Sequence, residues 1–418
     1  MITAFVDMVG LLMVLPILPF YAKQLGAGGF VVGLLVSSFA IAQLVSAPIW
    51  GRFSDRYGRR PALLVGLTAA AIAYVVFAYA DALWLLFLSR IVQGAGGGTV
   101  SVIQAYVADA TRPEDRAKSL GWLSAATNAG VALGPLLGSL TMGMGRAGPG
   151  LVAAGLCVVN IVFASKYLVE SRDTSELETA KATHARTPGR SREAVLRVAS
   201  HPGEPASRLI LIYAIAIGAF QGANAILALF LAARFGVTEK TIGFFFAYIG
   251  TISVVTRAGI LGPLVDKLGE ARLSKYGQLL LALGLGAMAF IHPIADPQHL
   301  SATLGGVLPA KAVALLPYLP LALAVALLPL GTAFTFPCVT ALLSRVISRH
   351  ERGLYMGVQQ TYGGLARVIF PIWAGFAYDH LGHGIPFWTS SVLVLGTILL
   401  GLGMEGYTKT ERVEPAPG

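Results

Sequence analysis

Ten residues, Gly51-Arg52-Phe53-Ser54-Asp55-Arg56-Tyr57-Gly58-Arg59-Arg60, place five charges between two long apolar runs. Charges at that density cannot lie in hydrocarbon, and a membrane span needs about 20 apolar residues. The run must therefore form a tight turn at a membrane face. The same alternation continues along the chain. Twelve apolar runs lie near 2–22, 30–50, 61–80, 83–107, 119–143, 149–167, 209–233, 241–261, 275–293, 318–343, 355–377 and 386–404. The ninth and tenth are the least sharply bounded, because the stretch 302–343 exceeds one span and is broken by Pro309, Lys311, Pro317 and Pro320. Only 12% of residues are charged and mean hydropathy is +0.70, about half the charge of a soluble domain. The pattern predicts an all-α membrane protein with twelve transmembrane helices.

The basic residues give the orientation. Of 31 Lys+Arg, 23 fall in loops on one side and 5 on the other, namely Lys23, Arg146, Arg234, Lys240 and Lys311. Cytoplasmic loops carry the excess of Lys and Arg, so both termini are expected to be cytoplasmic, in the inner membrane of a bacterium. The net charge of +10 is thereby a topology signal and not a nucleic-acid footprint. Met1 stands directly against an apolar helix without a basic region, so the start does not read as a secretory signal peptide; a few preceding cytoplasmic residues are expected to be missing or never present. Cys157 and Cys338 fall inside spans, where neither has a route to a disulfide.

The chain repeats itself. Gly262-Pro-Leu-Val-Asp266-Lys267-Leu-Gly269 mirrors Gly51-Arg-Phe-Ser-Asp55-Arg56-Tyr-Gly58 at an offset of 211 residues. Asp115-Arg116 with Gly121 mirrors Glu351-Arg352 with Gly357 at an offset of about 236. The extra length fits a long outer segment near 294–311. The expected organisation is a six-helix bundle over 1–167, a cytoplasmic linker over 168–208, a second six-helix bundle over 209–404 and a tail over 405–418. Residues 174–190 read as flexible linker, and 191–200 as a short amphipathic helix on the inner face.

The loop Gly-x-x-x-Asp-Arg-x-Gly-Arg-Arg after the second span resembles the signature loop of the major facilitator superfamily. The resemblance implies two pseudo-repeated six-helix bundles with a substrate site near mid-membrane between them. It implies a cytoplasmic latch formed when the outer side is open. Asp55 would face the start of span eleven near Leu354, with Arg56, Arg59 and Arg60 around it and Gly51 and Gly58 allowing close approach. The competing reading is a set of inner-face anchoring charges, which needs neither the Asp nor the glycines. Around Asp266 the copy is degraded, because Glu270-Ala271 replaces the paired arginines, so its latch is expected to be weaker.

Within the spans, Arg90 is a functional candidate because an intramembrane arginine costs about 2.5–3.5 kcal/mol on insertion scales. The family carries an arginine here that serves proton coupling or substrate binding; the plainer alternative is a structural hydrogen bond to carbonyls. Gly94-Ala-Gly96-Gly97-Gly98 lacks the Lys-Ser/Thr and the strand of a phosphate loop and reads as a packing face. Span five carries Gly130-x-x-x-Gly134-Pro135-x-x-Gly138, which resembles the motif of drug–proton antiporters, with Ser139 where many members have a further glycine. Pro371 falls at the matching place in the second half, but Phe370 precedes it. Asp7, followed by Pro16-x-x-Pro19, resembles tetracycline-type efflux proteins. Burial favours the protonated form of a carboxyl and a nearby cation the ionised form, a tension that suits a proton carrier. Asp7 and Arg90 would differ in depth by roughly 8 Å, within reach of an arginine side chain, directly or through water. Alternatively Asp7 solvates at the inner interface.

Arg257 and Arg367 are not part of the family pattern. With Arg90 they set three cations against Asp7, which favours carboxylates, phosphates or sulfonates over cationic drugs, unless Arg257 snorkels to the inner surface. Asn128, Gln221, Asn224, Gln359 and Gln360 are further candidates to contact substrate, or else helix–helix glue. Asp379-His380-x-x-His383 has a metal-like look, but no metal is expected. No catalytic cluster and no nucleotide loop is visible, so the chain is not expected to be an enzyme. The predicted function is proton-coupled efflux of a small organic compound, anionic or amphipathic, by a monomer in the lipid bilayer, with the proton gradient as energy source, no cofactor and no nucleic-acid partner. The alternatives are an uptake symporter or uniporter for organic anions, and a receptor or lipid-handling protein that does not cycle.

Overall fold

The structure, a computed structural model, describes residues 1–112, 114–170, 188–292, 318–348 and 350–403. Residues 171–187 of the expected linker, the outer segment near 294–311 with Lys311, and the tail lie outside the described residues. Among the described residues, eight helical stretches are long and apolar enough to cross a membrane. Prolines and glycines shape the rest. Span one breaks at Leu15-Pro16-Ile17 into Ile2–Val14 and Leu18–Gln24, because proline removes an N–H and its ring clashes with the preceding turn. Spans two and three are Gly29–Tyr57 and Arg59–Ala78. Span four is split by glycines into Leu83–Ala95 and Thr99–Ala110. Spans five and six are Arg116–Thr141 and Gly148–Tyr167.

An amphipathic helix, Pro188–Ser200, follows. It starts earlier than the sequence suggested and buries Ala194 and Val198 against the second half. A hydrogen bond from Arg197 holds the Glu204 carboxyl below its usual range. Span seven is Pro205–Phe235.

The stretch Ile242–Phe290 is two arms, not one rod. Gly269 breaks it with φ 75°, a left-handed conformation that glycine adopts without steric cost. The first arm runs parallel to span ten, Leu319–Val346: the Tyr248 hydroxyl donates to the Ala322 carbonyl, and Leu264 packs on the cluster that holds Phe334 and Cys338. The second arm runs antiparallel, with Gly284 against Ala324 and Gly277 against Gly331. The arms are spans eight and nine. Span eight also contains a π-helical turn, Thr256–Ile260. Spans eleven and twelve are Arg352–His380 and Ile385–Leu400.

The repeat extends to individual contacts. Gly58 has the same turn conformation as Gly269, at φ 99°. Arg59 at the start of span three pairs with Asp109 at the end of span four, at 3.0 Å. The same places in the second half hold Glu270 and Arg345, paired at 2.5 Å. The offsets are 211 and 236 residues, those of the loop motifs, and the charges are exchanged. Glu270 is thus an ion-pair partner, not simply a lost arginine.

The halves meet along spans two and eleven and along spans five and eight. At the end away from the Gly51–Arg60 loop, the far end, the meeting is tight. A Cβ on Gly33 would lie 2.2 Å from the Pro371 carbonyl, and one on Gly243 would lie 2.2 Å from the Pro135 carbonyl. The two prolines are repeat counterparts. At the loop end, Gly51, Gly121, Gly262 and Gly357 have nothing among the described residues within 4 Å of such a Cβ. Among the described residues, the far end is closed and the loop end is open.

Candidate functional site

Two side chains close the far end across the seam. Asp379, near the end of span eleven, accepts hydrogen bonds from the backbone N–H of Gly29 and Phe30 at 2.8 and 2.9 Å. These are first-turn donors of span two, which have no partner inside their own helix, and the helix dipole there favours an anion. Ser139, at the end of span five, accepts from the Gly243 N–H at 2.8 Å and donates to the Glu239 carbonyl. Each half therefore caps a helix of the other. Neither role was legible in the sequence, where Asp379 drew notice only for its histidine neighbours. His380 stacks on Phe376 and His383 on Tyr378, and no group suited to a metal occurs among the described residues.

Below this closure lies a cavity of about 520 Å³ lined by both halves. The first half contributes Arg90, Asn128 and Pro135; the second contributes Gln221, Asn224, Arg257 and Arg367. Leu11, Phe39, Phe220, Phe246 and Phe336 supply its apolar wall. Sequence reasoning passed over Gln43, Ser253 and Thr332, which also line it; single small polar residues in an apolar run give no signal of which way they face.

Gln359 and Gln360 are corrections to the expected site. Gln359 is buried within the second half and donates to Thr340 at 3.3 Å, and Gln360 is exposed. Neither lines the cavity.

Asp7 occupies a side pocket that shares Met8, Leu11, Phe39 and Gln43 with the cavity. It is 7% exposed, so it does not solvate at the interface. Thr99, at the break in span four, donates to it at 2.9 Å. The expected Asp7–Arg90 bridge is absent from this structure. In the side pocket, Gln93 donates to the Tyr74 hydroxyl at 2.7 Å. Arg90 is 1% exposed, its guanidinium lies over the Phe77 ring at 5.9 Å, and none of its three nitrogens has a hydrogen-bond partner among the described residues. The alternative of a structural bond to carbonyls is thus not realised.

Arg257 sits in the π-helical turn of span eight and donates across the seam to Asn128 Oδ1 at 3.1 Å. Such turns re-aim side chains and recur at functional sites. This contact replaces the snorkelling path to the surface.

At the loop end, Asp55 is 49% exposed and pairs with Arg59 at 3.1 Å. Arg59 also binds Ser54, and Arg60 donates to the Ser165 carbonyl. Arg56 lies over Tyr57 at 5.4 Å. Glu170 accepts from the Arg59 and Arg60 backbone N–H groups, capping span three. Asp266 is exposed at the corresponding turn. Gly130, Gly134 and Gly138 all face span one, where a Cβ would come within 2.7 Å of Phe5, Leu12 or Met13 atoms. These glycines hold spans one and five together inside the first half.

The sequence profile described as Major Facilitator Superfamily matches residues 1–316. The tetracycline resistance protein, class B, of Escherichia coli is 26% identical over 95% of this chain and 91% of its own length. Multidrug resistance protein 2 of Bacillus subtilis (strain 168) is 27% identical over 96% and 92%. Among solved structures, a bacterial homolog of the human lysosomal transporter Spinster, in an inward-facing and occupied conformation, superposes with a TM-score of 0.73 at 13% identity, covering 99% of this chain and 97% of that one. With twelve spans in two related halves around a shared cavity, the chain belongs to the major facilitator superfamily of membrane transporters.

Proposed function

We propose that this protein exports a small organic compound across the bacterial inner membrane by alternating access, driven by protons entering through Asp7. The observation that carries this reading is a cavity shared by both halves, shut at one end and open at the other, with a buried carboxyl in a pocket opening beside it. The basic loops set the open end in the cytoplasm, so this geometry corresponds to the state that collects substrate from inside. In the opposite state the far-end closure parts, and Asp55 with Arg56, Arg59 and Arg60 latches the loop end against span eleven. The relatives named for tetracycline and multidrug resistance support efflux as the direction. Asp7 has Thr99 rather than a cation as its hydrogen-bond partner, so taking up a proton breaks no ion pair.

Substrate-driven proton movement in proteoliposomes tests this reading. Wild type is expected to move protons against the direction of the exported compound, and Asp7→Asn to exchange the compound without moving protons. Proton movement that persists in Asp7→Asn overturns the role of Asp7, and exchange without proton movement in wild type overturns the coupling.

A further inference from the structure

The charge in the cavity is one-sided. Among the described residues, Arg90, Arg257 and Arg367 line it, and no Asp or Glu does. Among the described residues, no carboxylate lies within ion-pair distance of any of the three. Arg90 is almost fully buried with all three nitrogens unpartnered, and Arg257 has a buried Nε without a partner. Leaving a buried cation without a counter-charge is costly, and intramembrane charges persist where they serve a ligand or a pathway. The rest of the wall is apolar and aromatic, and the volume suits a drug-sized molecule, about 300–1,000 Å³, rather than an inorganic ion.

We propose that the compound carried is an amphipathic organic anion. Its carboxylate, sulfonate or phosphate group is held by Arg367 and Arg257, and its apolar body lies against Phe39, Phe220, Phe246 and Phe336. Asn128 positions Arg257 by accepting from Nη1. Because Arg257, Arg367, Phe220, Phe246 and Phe336 belong to one half and Phe39 to the other, the compound touches both sides of the seam. The inference rests on the cavity being the transport site and narrows that reading to one class of substrate.

The test is binding to the purified full chain in detergent. The probes are 1-naphthoate, naphthalene-1-sulfonate and 1-naphthyl phosphate, set against 1-naphthamide and 1-naphthylmethylammonium. At least one anion is expected to bind about tenfold or more tighter than the amide, and the ammonium not at all. Arg367→Gln is expected to weaken binding of that anion about tenfold and so remove the preference, and Arg367→Lys to restore part of it. Binding of the ammonium or the amide as tightly as the anions, or no binding by any of the three anions, overturns the proposal. The ranking in wild type stands as a test even if the Arg367 variants fail to fold. No gradient is present in detergent, so the result is independent of proton coupling. Anion binding without proton movement in liposomes overturns the efflux reading alone, whereas proton-driven export of cations only overturns the anion inference alone.

Discussion

Asp7 and Arg90 illustrate what a sequence discloses about single residues. Both stood out because charges are rare in apolar spans, and Arg257 and Arg367 stood out for the same reason. Their partners were hidden. Thr99 donates to Asp7, Gln93 donates to Tyr74, and Asn128 holds Arg257. Thr99 and Gln93 are of types cheap enough in a span that their presence drew no notice, and Asn128, though singled out, gave no sign that Arg257 is its partner. Depth along two helices suggested an Asp7–Arg90 contact, but depth says nothing of azimuth. One consequence concerns Thr99→Val, which deletes the only side chain hydrogen-bonded to Asp7 among the described residues. Removing one hydrogen bond to a carboxylate costs about 1.5–3 kcal/mol, and that loss penalises the ionised form. Thr99→Val is therefore expected to shift the pH dependence of proton-coupled transport to higher pH while leaving substrate affinity unchanged. Transport rates measured across a pH series check this; an unshifted profile contradicts the assignment of Thr99 as partner of the coupling acid.

Whole elements were legible where glycine, proline and charge coincide. All twelve spans lie where the apolar runs placed them, to within several residues. The Gly269 turn also fell where the loop motif repeated. The breaks in spans one and four and the π-helical turn in span eight were not read, because a broken span keeps the composition of an intact one. The far-end seam yields two predictions of opposite kind. In Gly33→Ala the new Cβ would meet the Pro371 carbonyl at 2.2 Å, across the halves. Overpacking of this sort costs about 1–3 kcal/mol, and here the rocking motion itself relieves it. The variant is expected to favour the state with the far end open, by about 5–150-fold. Labelling of a cysteine introduced at the far end of the cavity, at Asn224, is expected to become faster from the outer side. In Gly134→Ala the Cβ would meet Leu12 at 2.7 Å inside one half. Rocking does not relieve that contact, so thermal stability is expected to fall without a change in labelling. Asp379→Ala removes two charge-assisted bonds to span two and is expected to act like Gly33→Ala. Unchanged outer-side labelling in both seam variants would contradict the closure described here.

For the molecule as a whole, the repeat was visible as two offsets, 211 and about 236 residues. The matched ion pairs Arg59–Asp109 and Glu270–Arg345 were invisible because the charges trade places between halves. Whole-cycle energetics depend on the charge of the cargo. A proton entering contributes about 2.3 kcal/mol per 100 mV. If an anion leaves in the same cycle, a second charge moves with the field and the driving force is roughly doubled; if a cation leaves, the potential contributes nothing. Export of 1-naphthoate or its sulfonate from proteoliposomes is therefore expected to accelerate when an inside-negative potassium diffusion potential is imposed. Indifference to that potential would indicate that the anion leaves together with a proton, an electroneutral step, and would contradict antiport.

The two halves are held here to rock, so that one end opens as the other closes. Paired spin labels test this directly in the full chain, with one pair across the far end at Met144 and Leu381 and the other across the loop end at Trp122 and Lys267, all exposed positions. Pulsed distance measurement on wild type and on Gly33→Ala, in lipid, compares the two ends. The account predicts that Gly33→Ala lengthens the far-end distance and shortens the loop-end distance together. A far end that opens while the loop end stays apart, or distances that remain fixed at both ends, would contradict it.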